Sequence, residues 1–152
     1  MTTATDAEEP MALAAGLLRT AGLRVTAPRM AILVAVQESS GHLDVDALRA
    51  HAQRVTGRLS VQATYNVLRA LTDAGLVRCT QIPGHPARYE TERHDNHHHF
   101  VCRRCGTIRD VVCSVGTAPC MDPHLPEEYD TQEAAVTFWG LCPECRTETP
   151  AP

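Results

Sequence analysis

Two pairs of closely spaced cysteines constrain this 152-residue chain more than any other feature: Cys102 with Cys105, and Cys142 with Cys145. Two residues separate the members of each pair, and this spacing forms a tight knuckle that directs both sulfur atoms at one point. Two such knuckles complete a tetrahedral shell of four thiolates, which suits Zn²⁺. Because this shell has no open position, we predict a structural zinc site rather than a catalytic one.

The remaining cysteines have no such partner pattern. The N-terminus is polar and acidic and lacks the features of a secretory signal, which predicts a cytoplasmic chain without a disulfide framework. Cys113 and Cys120 could form a further metal site or a redox pair, or simply pack. Cys79 falls in a predicted strand and is expected to be buried.

No apolar run approaches the roughly 18–20 residues of a membrane span, so no membrane partner is expected.

The first part of the chain predicts four helices and a β-hairpin. Thr26, Asp44 and Ser60 are helix-capping residues, and glycines follow three of the predicted helices. An alternating run, a Pro-Gly turn and a return strand come next. The predicted elements are helices over residues 11–21, 26–38, 45–57 and 61–74, then strands over residues 76–82 and 87–90. This order is typical of a winged helix-turn-helix.

The second part of the chain predicts three short strands, over residues 98–102, 107–112 and 134–141. We therefore expect an α+β fold in two domains. The expected organisation is a disordered tail over residues 1–9, a winged helix-turn-helix domain over 10–89, a small metal-binding α/β domain over 90–146 and a frayed tail over 147–152.

Charge is distributed unevenly along the chain, although the net charge is only −4. Residues 10–89 hold nine arginines and four acidic residues, for a net charge of +5. Residues 90–152 hold five arginines and eleven acidic residues, for a net charge of −6. A basic first half and an acidic second half predict different partners, with nucleic acid favoured for the first.

Three consecutive histidines, His97, His98 and His99, precede the first cysteine knuckle. Alternate side chains of a strand share a face, so His97 and His99 are expected to point together and His98 away. Two imidazoles on one face favour a divalent metal. The alternative is a solvated polar run.

The fourth predicted helix has the side chains of a DNA reader. Its apolar residues Val61, Tyr65, Leu68 and Leu71 lie at helical spacing. Residues near the start of such a helix contact base edges, and arginines hold phosphates. The predicted contacts are made by Arg29, Gln62, Thr64, Tyr65, Asn66 and Arg69. The alternative is a solvated polar helix face.

These features together resemble the ferric uptake regulator superfamily over about residues 11–146. The resemblance lies in residues 22–29, 63–68 and 74–77, and most specifically in residues 96–106, which hold the three histidines and the first knuckle. Residues 87–99 and 113–120 are similar to the subgroup that controls catalase and catalase-peroxidase genes. The resemblance implies a homodimer whose second domain mediates dimerisation.

The resemblance also implies which residues bind metal and DNA. The four cysteines of the knuckles would hold one zinc ion per subunit. A regulatory Fe²⁺ or Mn²⁺, one per subunit, would bind between the domains to His42, Glu90, His97, His99 and Asp110. Arg24 would be the basic residue that enters the minor groove. Glu90 resembles the iron sensors of the family, whereas Asp110 resembles the peroxide sensors.

The function implied is that of a repressor rather than an enzyme. We expect a metal-dependent, peroxide-responsive repressor of catalase-type genes that binds a palindromic double-stranded operator. Peroxide would oxidise His42 or His97 and so release the metal and the operator. The alternatives are an iron-occupancy sensor and a thiol switch at Cys113 and Cys120. A zinc hydrolase is a further alternative, but no positioned nucleophile or base accompanies the histidines.

Overall fold

The computed structural model describes residues 4–39, 41–93, 95, 97–112, 125–131 and 134–147. The chain divides into two compact units, Met1–Glu92 and Arg93–Pro152. Cys113 and Cys120 lie outside the described residues, so the structure does not address their predicted roles. Among the described residues, no helix has the length and apolar character needed to cross a membrane.

The first unit contains four helices and an antiparallel hairpin. The helices are α1 (Ala4–Thr20), α2 (Ala27–Glu38), α3 (Val45–Thr56) and α4 (Val61–Asp73), and the strands are β1 (Val77–Thr80) and β2 (Arg88–Thr91). Helix α2 is buried along most of its length, from Ala31 to Val36, and is the centre of the core. Helices α1, α3 and α4 all pack against it.

Capping residues set the starts of α3 and α4 as predicted. The Asp44 carboxylate accepts a hydrogen bond from the Ala47 N–H at 2.9 Å, and the Ser60 hydroxyl accepts one from the Ala63 N–H at 3.1 Å. Helix α3 is followed by Gly57 with φ of 71°, a conformation that glycine adopts without strain. Thr26 precedes α2 without a side-chain capping bond, so Pro28 in the first turn is the stronger start signal there.

Helix α1 begins at Ala4, seven residues before the predicted start, so most of the predicted tail over residues 1–9 is helical. This stretch is rich in alanine and glutamate, which are strong helix formers. Those propensities outweigh Pro10, which lies inside the helix and lacks an N–H to donate.

Helix α4 buries a different face from the predicted one. Leu68 and Leu71 are fully buried as expected, but Val61 and Tyr65 are 45% and 48% exposed. Thr64 completes the buried stripe, at i, i+4 and i+7 with the two leucines. A threonine is tolerated there because its hydroxyl donates a hydrogen bond to the Ser60 carbonyl at 3.0 Å.

Replacing Leu68 by alanine is expected to lower the free energy of unfolding by roughly 2–5 kcal/mol, because a fully buried leucine leaves a cavity in the core. Val61→Ala on the same helix is the control and should change it by less than about 0.5 kcal/mol. Urea denaturation of the zinc-loaded chain, followed by circular dichroism, measures both values. Equal destabilisation by the two variants would contradict the observed orientation of α4.

The second unit contains a three-stranded sheet and a short helix. Its elements are β3 (His97–Cys102), β4 (Ile108–Val112), β5 (Thr137–Gly140) and α5 (Pro143–Thr147). The strand order is β4-β3-β5, with β3 antiparallel to β4 and parallel to β5. The prediction of a mixed fold of helices and sheets is therefore confirmed. Helix α5 was not predicted, although Pro143 in its first turn is a helix-start signal.

Candidate metal centres and nucleic-acid interface

Four cysteines of the second unit form a compact sulfur cluster. The sulfur atoms of Cys102, Cys105, Cys142 and Cys145 all lie within 4.8 Å of one another. Strand β3 ends at Cys102, and Cys142 and Cys145 lie on either side of the start of α5. The parallel pairing of β3 with β5 places the two knuckles side by side, because Cys102 is the register partner of Gly140.

Backbone N–H groups stabilise negative charge on these sulfur atoms. The Cys142 N–H donates to Cys102 Sγ at 3.4 Å, and the Cys145 N–H donates to Cys142 Sγ at 3.5 Å. Gly106 has φ of 72°, which allows its N–H to return to the Cys102 carbonyl at 2.9 Å and close the first knuckle. The backbone of both knuckles therefore forms hydrogen bonds that hold the four sulfur atoms together.

The four thiols differ in how readily they lose a proton. N–H donation from Cys105 and Cys142 lowers the pKa of the Cys102 thiol to about 6. Hydrogen bonds from Thr107 lower the pKa of Cys105. Burial, followed by the neighbouring thiols, raises the pKa of Cys145 to about 12. Four sulfur atoms this close cannot all carry charge without a cation among them.

The cluster fits a tetrahedral metal ion. Zn–S bonds of about 2.3 Å in a regular tetrahedron imply sulfur–sulfur distances of about 3.8 Å. Cys105 Sγ and Cys142 Sγ are 3.7 Å apart. The donor set, four sulfurs and no open position, is that of a structural zinc site, as the spacing predicts.

A second group of potential ligands lies in the first unit. His42 Nε2 is 3.1 Å from Glu90 Oε2, and both side chains are more than nine-tenths buried. The backbone brings them together, because Leu43 and Tyr89 exchange N–H and carbonyl bonds of 2.9 and 3.2 Å as an isolated antiparallel bridge. An imidazole and a carboxylate held in this way are suited to a divalent transition metal.

An ion pair lies next to His42 and Glu90 in the sequence and joins the same two segments of the chain. Arg88 Nη1 donates to Asp44 Oδ2 at 3.1 Å, so β2 is tied to the start of α3. The other oxygen of Asp44 caps α3. Forty-four residues separate Arg88 from Asp44, and nothing in the sequence pattern pointed to this pair.

The histidines of the second unit are arranged as predicted. The rings of His97 and His99 lie 5.1 Å apart, edge to face, whereas the His98 ring lies 6.4 Å from Phe138. Asp110 is the register partner of His99 across β3 and β4. Two imidazoles and one carboxylate of this unit are thus gathered on neighbouring strands, with Arg93 3.7 Å from Asp110.

One residue of this group was missed by sequence reasoning. Asp95 contacts His97 Nδ1 through its carboxylate. A carboxylate on one ring nitrogen fixes the imidazole tautomer and leaves Nε2 as the metal-binding atom. The available signal was an acidic residue two positions before a candidate ligand.

The face of α4 that does not pack on the core is polar. Gln62, Tyr65, Asn66 and Arg69 are exposed, and Gln62 Nε2 donates to Asn66 Oδ1 at 3.2 Å. Thr64 is fully buried and its hydroxyl is already bonded, so its predicted contact with DNA is wrong. The sequence pattern did not distinguish the buried Thr64 from the exposed polar residues beside it.

Arg24 precedes α2 and Arg29 lies in its first turn, and the two arginines have different environments. Arg24 is exposed. Arg29 donates from Nη1 to the Arg24 carbonyl at 2.8 Å, so part of its guanidinium holds the backbone at Arg24. Arg29 is therefore better placed to orient Arg24 than to reach a phosphate with its whole guanidinium.

Comparison with known proteins identifies a family and several relatives. Residues 20–115 match the model of the ferric uptake regulator family. The transcriptional regulator FurA of Mycobacterium tuberculosis is 50% identical over 128 residues, covering 84% of this chain and 86% of that protein. The peroxide-responsive repressor PerR of Staphylococcus epidermidis is 29% identical over 132 residues, covering 86% and 87%.

Solved structures show the same fold. The ferric uptake regulator Fur of Helicobacter pylori superimposes with a TM-score of 0.70 at 17% identity, covering 95% of both chains. The matched family model spans more than half of this chain, and the relative at 50% identity covers more than four-fifths of it. The chain therefore belongs to the ferric uptake regulator family, whose members are transcriptional regulators and not enzymes.

Proposed function

We propose that this chain is a metal-dependent, peroxide-responsive repressor that binds a palindromic operator as a homodimer and controls catalase-type genes. The observation that supports the metal dependence is that both units hold imidazole and carboxylate side chains that can act as metal ligands. The His42–Glu90 pair lies in the first unit, and the histidines near Asp110 lie in the second. A regulatory Fe²⁺ or Mn²⁺ bound by His42, Glu90, His97, His99 and Asp110 would restrain the two units relative to each other.

DNA binding is assigned to the first unit. Helix α4 would be the recognition helix and β1–β2 the wing, which makes this unit a winged helix-turn-helix. The exposed Gln62, Tyr65, Asn66 and Arg69 would face the operator, with Arg24 on a neighbouring phosphate or in the minor groove. The net positive charge of this half favours that assignment.

Dimerisation is assigned to the second unit. Phe138 and Leu141 on and beside β5 are about half exposed, and β5 pairs on one side only, with β3, among the described strands. An apolar sheet edge of this kind is suited to a second copy of the chain. Two copies related by a two-fold axis would match the symmetry of a palindrome.

The proposed signal is oxidation of a ligand. Fe²⁺, when bound, supplies one-electron chemistry with H₂O₂. The His42 or His97 imidazole would gain one oxygen atom from H₂O₂ in a two-electron oxidation, and the other oxygen of H₂O₂ would leave as water. The oxidised imidazole would be a poor ligand, so the units would no longer be restrained. A tenfold change in operator affinity requires about 1.4 kcal/mol of coupling, which lies within the roughly 1–3 kcal/mol of ordinary allosteric couplings. The 29% identity to a repressor named as peroxide-responsive supports this signal.

The test compares operator binding by Fe²⁺-loaded and Mn²⁺-loaded protein before and after H₂O₂, with peptide mass spectrometry on the same samples. We expect only the Fe²⁺ form to release the operator, with one added oxygen atom on the peptide that carries His42 or His97. Release on metal removal but not on H₂O₂ would establish the second candidate, an iron-occupancy sensor, which the resemblance of Glu90 to the iron sensors of the family favours. Peroxide release that is lost in a Cys113→Ser, Cys120→Ser variant would identify a thiol switch instead.

A further inference from the structure

A cavity of about 350 Å³ lies in the first unit between α4 and the β1–β2 hairpin. Side chains from the second half of α4, including Arg69, Thr72 and Asp73, line one side. Cys79 and Tyr89, which are register partners across the hairpin, line the other. This volume is at the lower end of the range for small-molecule sites, about 300–1,000 Å³.

Three polar side chains that line the cavity have no side-chain partner among the residues that the structure describes: Arg69, Thr72 and Asp73. Thr72 Oγ1 is buried and has no hydrogen-bond partner among the described residues. Arg69 and Asp73 lie one helical turn apart with opposite charges, yet neither forms an ion pair within the described part of the chain. Because buried polar groups are normally hydrogen bonded, the Thr72 hydroxyl retains a hydrogen-bonding capacity that a bound ligand can satisfy.

Aromatic rings form part of the cavity wall. Tyr65 and Tyr89 both line it, and Tyr89 is 7% exposed. Burial, followed by the nearby Cys79, raises the pKa of Tyr89 to about 12, so its phenol remains neutral at physiological pH. Neutral aromatic walls favour a planar ring, which packs against them in stacked or edge-to-face geometry.

We propose that this cavity binds a small aromatic carboxylate of one or two rings that carries a hydroxyl group. The ring lies between Tyr65 and Tyr89, and the carboxylate pairs with the Arg69 guanidinium. The ligand hydroxyl bonds to Thr72 and Asp73. Tyr65 and Arg69 also belong to the proposed DNA-contacting face, so the bound acid competes with the operator. This competition rests on the proposed function.

The experiment uses the Cys79 thiol as a reporter of occupancy. The zinc-loaded full chain is alkylated with iodoacetamide, with and without salicylate or 3-hydroxy-2-naphthoate, and the Cys79 peptide is followed by mass spectrometry. At a probe concentration of about ten times its Kd, alkylation should slow about tenfold. Cyclohexanecarboxylate, which has the charge but not the aromatic ring, should protect at least several-fold less.

Arginine variants identify the carboxylate partner. Arg69→Ala should abolish protection by salicylate, whereas Arg54→Ala, at an exposed position of α3 outside the cavity, should leave it unchanged. Absence of protection by both aromatic acids, or equal protection in Arg69→Ala, would overturn the site. No DNA is present in this assay, so its result does not depend on the proposed function. Protection without any rise in the apparent Kd for operator would overturn the competition.

Discussion

Replacing Cys142 by serine is expected to eliminate bound zinc and to unfold the second unit. Cys142 Sγ is an acceptor for the Cys145 N–H and lies 3.7 Å from Cys105 Sγ, so its loss removes a ligand and breaks the knuckle. Structural zinc contributes about 10–16 kcal/mol of apparent binding free energy in zinc-finger peptides, which is more than a small domain's net stability. Chelation of the unmodified protein should have the same effect.

The measurement combines zinc content by atomic emission with hydrogen exchange of the β3–β5 sheet. Cys79→Ser is the control, because it removes a thiol from the first unit and should retain the full zinc content. A Cys142→Ser protein with unchanged zinc and unchanged protection of β3 would show that the sulfur cluster is not a metal site.

Replacing His42 by alanine is expected to remove the metal-dependent part of operator binding, a loss of at least about tenfold in affinity. The variant leaves Glu90 buried without the imidazole that lies 3.1 Å from it, so the first unit keeps only one of its two ligands. The zinc content should not change, because the sulfur cluster belongs to the other unit.

His51→Ala provides a matched control for this prediction. His51 also pairs with a glutamate of the first unit, Glu38, at 3.8 Å, but it is not one of the proposed ligands. Operator binding is measured by fluorescence anisotropy with and without Mn²⁺. If the His42 and His51 variants responded to Mn²⁺ equally, His42 would not be a regulatory ligand.

Local rules were sufficient for the starts of α3 and α4 and for the two cysteine knuckles. Asp44 and Ser60 cap their helices through bonds within three residues, and such short-range chemistry can be read from a sequence. The two knuckles could also be predicted from the sequence, because each consists of four consecutive residues. The alternation of His97 and His99 on one face of β3 follows from strand geometry alone.

Features that depend on the tertiary fold could not be predicted from local sequence patterns. The buried face of α4 could be assigned to either of two overlapping stripes, and only packing against α2 selects the one through Thr64. The contact of His42 with Glu90 requires the bridge between Leu43 and Tyr89, which no local pattern encodes. These two ligands were therefore proposed from family resemblance and not from spacing.

The two oxygens of Asp44 have a consequence for how a signal travels through the first unit. One oxygen holds the start of α3 and the other holds Arg88 of β2, so the segment that follows His42 and the segment that precedes Glu90 are joined by a single side chain. These two contacts of Asp44 restrict the backbone next to His42 and Glu90. A change in what they bind is therefore expected to move the start of α3 and the start of β2 together.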